Sequence, residues 1–373
     1  THGTGGTQTA LSAFAGRSPS VSVKTELYDG TSWTASTDMA TARSMVSGTG
    51  TQTVAITTGG ETAPGDLIGN TEEFNITAAT ITAAAWSSGG TLNTKHTSAG
   101  ASGTQTAALV SGGNDGDSNP PHVYSTPDVE EYNGTSWAEQ NNLSTSRFNL
   151  SGSGSQTAAL VAAGNLYPGR STATEEYDGT NWANGGALPA GYEAGTMFGI
   201  QTASVFCGGY GPPGGASSTS YEYNGSSWTA GNSLNSARKE LPGSFGLESA
   251  GVTYAGTGPG TSNVCEEYDG TNWTTVNSMN LEHTGCWGAG TQTDGIGGGG
   301  ASAPGAGTIC ESYDGTTWRT SASLSTSRAS GNGLGSPSTA SAAMVSAGEP
   351  TRQATEEFTG ETTGINLKTI TDS

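Results

Sequence analysis

The chain of 373 residues carries 12 Lys and Arg against 32 Asp and Glu, a formal net charge of -20 that argues against nucleic acid or an anionic membrane surface as a partner. Gly alone supplies 60 residues and charged residues only 12%, a composition poor for helices and suited to short strands and tight turns. No run approaches the ~18 apolar residues of a membrane span, so membrane insertion is not expected.

Disorder is the first reading to test against such a composition, and the aromatic residues argue against it. They return at fixed intervals in a unit of about 45 residues: a GTQTAALVSGG-type run, a variable loop, an EEYDGTSW run and an LSTSR-type run. In chain order the first repeat, 1–42, has Gln8, Tyr28, Asp29-Gly30 and Trp33. The second, 43–95, has Arg43, Gln52 and Phe74, and an inserted ITAATITAAA delays its tryptophan to Trp86. Repeat 96–146 follows with His96, Gln105, Tyr132, Asn133-Gly134 and Trp137, and repeat 147–191 with Arg147, Gln156, Tyr177, Asp178-Gly179 and Trp182. Repeat 192–237 places Tyr192 where arginine is usual, then Gln201, Tyr223, Asn224-Gly225 and Trp228. Repeat 238–282 has Arg238, Tyr268, Asp269-Gly270 and Trp273, and repeat 283–327 has His283, Gln292, Tyr313, Asp314-Gly315 and Trp318. The last, 328–373, has Arg328 and Phe358 but Thr363 at the tryptophan position.

Four short strands fit each repeat. In 147–191 they are expected over 148–154, 157–164, 174–179 and 181–186, the last two joined by an Asp-Gly turn that tolerates positive φ. A four-stranded sheet of this kind cannot bury its own faces, so the repeats must stack. Small Gly, Ala and Ser side chains let the inner strands approach an axis, and the recurring tryptophans fill the space between sheets. The expected fold is all-β: a β-propeller of about eight four-stranded antiparallel blades forming a single domain over 1–373. Seven blades, with one repeat packed outside or shared with another chain, is the alternative.

With a glycine pair ending the second strand (Gly59-Gly60, Gly112-Gly113, Gly208-Gly209), then Tyr, Trp and a basic residue, the chain resembles kelch-repeat propellers. Its tyrosine-to-tryptophan interval is shorter than in typical kelch units. In its Thr-rich EYDGTSW form it is also similar to degenerate kelch-repeat propeller proteins of marine tailed bacteriophages. That resemblance implies a virion or cell-surface location and a structural or binding role as a tail, fibre or decoration component. The implied partners are other virion or surface proteins and a host glycan or receptor. A bacterial surface adhesin is an alternative in the same class.

Enzymatic readings fit the residues less well. DGTTW resembles the Asp-box of sialidases but is one residue short, and Arg43, Arg147, Arg238 and Arg328 share one repeat position, which suits pairing with the recurring glutamates better than convergence on a substrate. Copper radical oxidases have the kelch architecture and need histidine ligands, yet of His2, His96, His122 and His283 two stand at that same repeat position. Adjacent glutamates such as Glu130-Glu131 point to opposite faces of a strand and cannot act as an acid/base pair. Cys207, Cys265, Cys286 and Cys310 lack metal-ligand spacing and read as small buried hydrophobes. No enzyme activity, metal or cofactor is therefore expected; a secreted carbohydrate-active or copper-radical-oxidase-like enzyme is the alternative.

Binding is expected on the loops between second and third strands, at 61–70, 114–128, 165–171 and 210–218, which emerge on one face of a propeller. Tyr124, His122, Tyr167, Arg170 and Tyr210 are the aromatic and basic candidates. Asp115 and Asp117 could meet a cation or sugar hydroxyls. Lack of constraint accounts for loop variation equally well.

Overall fold

The computed structural model describes residues 2–17, 19–116, 124–258, 260, 262–300, 306–333 and 339–370. The eight repeats give eight four-stranded antiparallel sheets, with a further two-stranded one. They fall into two compact units, Ala84–Gly360 and Thr1–Ala83 with Glu361–Ser373.

Six sheets belong to Ala84–Gly360. Blade 1 is Gly100–Thr104, Ala107–Ser111, Val129–Tyr132 and Trp137–Glu139; blade 2 is Ser151–Ser155, Ala158–Ala162, Thr174–Tyr177 and Trp182–Asn184. Blade 3 runs Thr196–Ile200, Ala203–Cys207, Ser220–Tyr223 and Trp228–Ala230, and blade 4 Gly243–Leu247, Ala250–Tyr254, Cys265–Tyr268 and Trp273–Val276. Blade 5 is Trp287–Thr291, Asp294–Gly298, Cys310–Tyr313 and Trp318–Thr320. Blade 6 takes Asn332–Gly333, Met344–Ser346 and Thr355–Thr359 from the last repeat, and its outer strand, Ala85–Ser88, from the second.

These six blades close on themselves. Just before each inner strand one residue turns into the left-handed region, at Ser98, Asn149, Ala194, Glu240 with Leu241, Gly285 and Ser330. The turn aims its N–H at the neighbouring blade: Ser98 donates to Ser330 O (3.1 Å), Asn149 to Ser98 O (2.8 Å), Ala194 to Asn149 O (2.8 Å), Leu241 to Ala194 O (3.0 Å), Gly285 to Glu240 O (2.9 Å) and Ser330 to Gly285 O (2.8 Å). The belt passes through every blade and returns to its start. Side chains at the axis must be small, since a Cβ on Gly152 would lie 2.6 Å from Ala101 N and one on Gly333 2.7 Å from Gly288 N.

The recurring residues have structural partners. The first glutamate of each EEY run is buried and caps the segment entering its blade: Glu175 accepts from Ser144 N–H and pairs with Arg147 at 2.8 Å, Glu266 with Arg238 and Glu356 with Arg328, both at 2.7 Å. His96 and His283 replace arginine beside Glu130 and Glu311, each with Nδ1 2.7 Å from the carbonyl of a glycine ending the second strand. In blade 3 both partners change together, and Tyr192 Oη lies 3.3 Å from Tyr221 Oη. The second glutamate faces the other way, toward the next blade, where Tyr177 Oη donates to Glu131 (3.1 Å) and Tyr313 Oη to Glu267 (2.8 Å). Glutamines tie the same junctions: Gln156 Nε2 donates to Tyr132 O and Gln201 Nε2 to Tyr177 O.

The tryptophans lean on the preceding blade. Trp137 Nε1 donates to Thr355 Oγ1 (3.0 Å) and Trp228 Nε1 to Thr174 Oγ1 (2.9 Å), and Trp137, Trp228, Trp273 and Trp318 are buried. Trp86 and Trp182 are half-buried; Trp33, in the other unit, is exposed.

The other unit holds two four-stranded sheets, beside the two-stranded pair Glu61–Ala63 and Asp66–Leu67. Sheet a is Gly3–Thr7, Ala10–Phe14, Thr25–Tyr28 and Trp33–Ala35; sheet b is Ser47–Gly50, Val54–Thr58, Thr71–Thr82 and Thr362–Ile370. Phe14 and Phe74 pack edge to face between them at 5.3 Å, beside Met39 and Ala55. The inserted residues that delay Trp86 therefore prolong a strand of sheet b, whose outer partner comes from the C-terminal end of the chain.

Candidate functional site

Each second strand ends on two consecutive left-handed residues, which swing the chain onto the loop face. The first is Gly or Ala: Gly112 (φ 64°), Ala163 (62°), Gly208 (70°), Ala255 (60°), Ala347 (57°). At the second only glycine fits, because a Cβ on Gly209 would stand 2.9 Å from Glu193 O and one on Gly113 2.8 Å from Thr97 O. This is why the glycine pair decays at its first member alone.

Two of the loops so launched meet near the ring axis. Residues 165–170 and 210–216 fold back as tight bridges, Asn165 opposite Arg170 and Tyr210 opposite Ala216. Arg170 stacks on the Tyr210 ring, its Cζ 4.0 Å from the centroid, and Lys239 Nζ approaches the same ring at 5.1 Å. Arg170 Nε donates to Glu193 Oε1 (3.3 Å), while Asn165 Nδ2 (2.7 Å) and Asn149 Nδ2 (3.5 Å) donate to Oε2. Lys239 Nζ lies 3.3 Å from Glu240, which accepts from Thr257 Oγ1. Beside this cluster Tyr167 projects, 64% exposed, on a turn held by Asn165 Oδ1.

On the ring axis Leu150 and Leu241, which directly follow Asn149 and Glu240 of the cluster, join Gly195, Thr196 and Trp287 in lining a cavity of about 60 Å³. That is room for a few water molecules at most, so a larger ligand would engage the rim. Across the ring, Gly116 abuts Arg352, which pairs with Glu349.

Two of the sequence candidates are thus brought together, Arg170 and Tyr210, while Tyr167 is exposed on the same turn as Arg170. Tyr124 is exposed on the loop of blade 1, and Asp115 lies on the same loop next to Gly116. Asp117 and His122 lie outside the described residues. Sequence reasoning missed Asn165, Glu193, Lys239 and Glu240. The available signal was the charge directly after the arginine position, in Tyr192-Glu193 and Arg238-Lys239-Glu240, where other repeats have Phe148, Thr97 or Ala329.

Three of the framework carboxylates have lowered pKa values. Burial works against ionising Glu130, but hydrogen bonds from His96 and from the N–H groups of Asn93 and Thr94 outweigh it and hold its pKa down at about 2. The same contest lowers Glu311 and Glu356. Burial and Glu176 push Tyr223 up to about 12. Among the described residues no three His, Cys, Asp or Glu side chains gather as a metal site.

No family model and no curated protein matches the chain. Among solved structures it is similar to "Structure of YjhT", at 11% identity and a TM-score of 0.57, over 74% of this chain and 99% of that one. The likeness is one of fold, and with the repeated four-stranded sheets it shows a kelch-like β-propeller.

Proposed function

We propose that the chain is a non-enzymatic propeller displayed on a virion or cell surface, where its loop face binds a host glycan or receptor. The observation that carries this reading is the grouping of Arg170, Tyr210, Glu193 and Lys239 at the rim of the axis, with Tyr167 exposed on the Arg170 turn. An exposed aromatic face offers a platform for the C–H face of a sugar, and flanking cations, carboxylates and Asn165 supply donors and acceptors for hydroxyl groups. The framework glutamates, by contrast, spend their carboxylates on neighbouring framework groups. The phage likeness of the EYDGTSW repeats supports a tail, fibre or decoration component, for which other virion proteins are the structural partners.

A panel of neutral and acidic oligosaccharides titrated against the full chain tests this. Expected is saturable retention of at least one glycan, weakened about tenfold or more by Tyr167→Ala or Arg170→Ala. Turnover of a bound saccharide, or retention indifferent to both substitutions, would overturn it.

A further inference from the structure

Every blade of the six-membered ring meets its predecessor through one set of contacts. At five junctions a tyrosine hydroxyl donates to the predecessor's second glutamate, as Tyr132 does to Glu357 and Tyr268 to Glu222. At the sixth the aromatic is Phe358, and Ser312 stands where the glutamate would be. A phenol therefore always faces a carboxylate, and a ring without a hydroxyl faces none.

The two-sheet unit contains one such junction and the two halves of another. Between its sheets Gln52 Nε2 donates to Tyr28 O at 2.7 Å, and the aromatic and its counterpart are Phe74 and Leu27, again without a carboxylate. On the side of sheet a facing away from sheet b, Gln8, Tyr28 and Trp33 hold the positions that contact a predecessor. Gln8 is exposed, and Trp33 is 48% exposed where Trp137 is 6% and Trp228 8%. Glu73 of sheet b, also exposed, holds the glutamate position that a following tyrosine would meet.

We propose that this unit closes a second six-bladed ring with two further copies of itself, Tyr28 of one chain donating to Glu73 of the next and Trp33 packing on that neighbour's sheet b. The occupant is fixed by complementarity, since the unfilled tyrosine and the unfilled glutamate occur in the same unit and obey the pairing rule of the other junctions. The number follows from the chain's own ring: sheets of this repeat close at six, and each copy brings two. Such a head-to-tail contact between unlike faces closes as a cyclic trimer.

Native mass spectrometry and light scattering of the full chain should give three times 37.2 kDa. Trp33→Arg and Glu73→Arg, on opposite faces, should each yield monomers, with the unfolding transition of the six-bladed unit unchanged as proof of folding. Glu73→Leu should weaken assembly about tenfold, and adding Tyr28→Phe should restore it by recreating the Phe74 and Leu27 type of junction. A monomer or dimer at about 100 μM, or a trimer indifferent to both arginine substitutions, would overturn the proposal.

Discussion

Trp86 lies directly opposite Phe358 in blade 6, with ring centroids 5.0 Å apart, in the register that joins Tyr132 to Trp137 within one repeat. The second repeat thus completes the last blade. Trp86 also packs edge to face on Trp287 of blade 5 at 5.2 Å and donates through Nε1 to Ala322 O. Trp86→Ala should destabilise the six-bladed unit by about 2–4 kcal/mol, less than for a fully buried tryptophan because Trp86 is half-buried. Urea unfolding monitored by far-UV circular dichroism measures the loss; a change within ~0.5 kcal/mol would mean that this strand does not close the ring.

Arg238 and Glu266 are both fully buried at 2.7 Å. Arg238→Met should cost about 3–5 kcal/mol because it strands a carboxylate in the interior. Replacing both partners, Arg238→Tyr with Glu266→Tyr, copies the pairing that Tyr192 and Tyr221 make in blade 3 and should cost less than the two single changes summed. A double-mutant cycle in urea reads the coupling, and strict additivity would contradict it.

Acid should unfold the protein in a defined window. Glu130 has a pKa depressed from 4.5 to about 2, and Glu311 and Glu356 are also lowered. A depressed carboxylate contributes stability that is present above its unfolded pKa and lost as pH falls through the folded one. Stability should therefore decline between about pH 4.5 and pH 2. Glu130→Gln should flatten that decline while lowering stability at pH 7, a pair of effects read from urea midpoints across the range.

At the alkaline end the sign reverses. Tyr223 is raised from 10.0 to about 12 by burial and by the carboxylate it serves. Its contribution is complete below its unfolded pKa and disappears as pH rises from about 10 to 12. Tyr223→Phe should remove part of this alkaline sensitivity, as measured by thermal unfolding at pH 9 and pH 11.

The cysteines should be inert. Burial pushes the thiols of Cys207, Cys265, Cys286 and Cys310 up to about 12, and all four are free. A chromogenic disulfide reagent should label none in the native protein and all four in denaturant; rapid native labelling would contradict their burial.

Much of the fold is written locally. The Asp-Gly and Asn-Gly turns lie where spacing puts them, with Gly179 at φ 90° and Asp178 Oδ1 accepting from the N–H groups of Thr180 and Asn181. The four strands expected in 147–191 are those of blade 2 to within a few residues. The framework roles of Arg147 and His96 follow from their shared repeat position. The rim cluster was legible only in part, because Glu193 and Lys239 come from other repeats than Arg170 and meet it through the curvature of the ring.

What the residue order determined by itself is the repeated unit: turn chemistry and alternating burial act over a few residues and need no distant partner. What only the tertiary structure decided is which strand completes which sheet. By count from Phe358, Thr363 takes the tryptophan's place, yet Trp86 lies there and Thr369 faces Phe74 instead. An outer strand is held by backbone hydrogen bonds that any segment can supply, so its choice rests on which distant segment brings the side chain that fills the gap between blades.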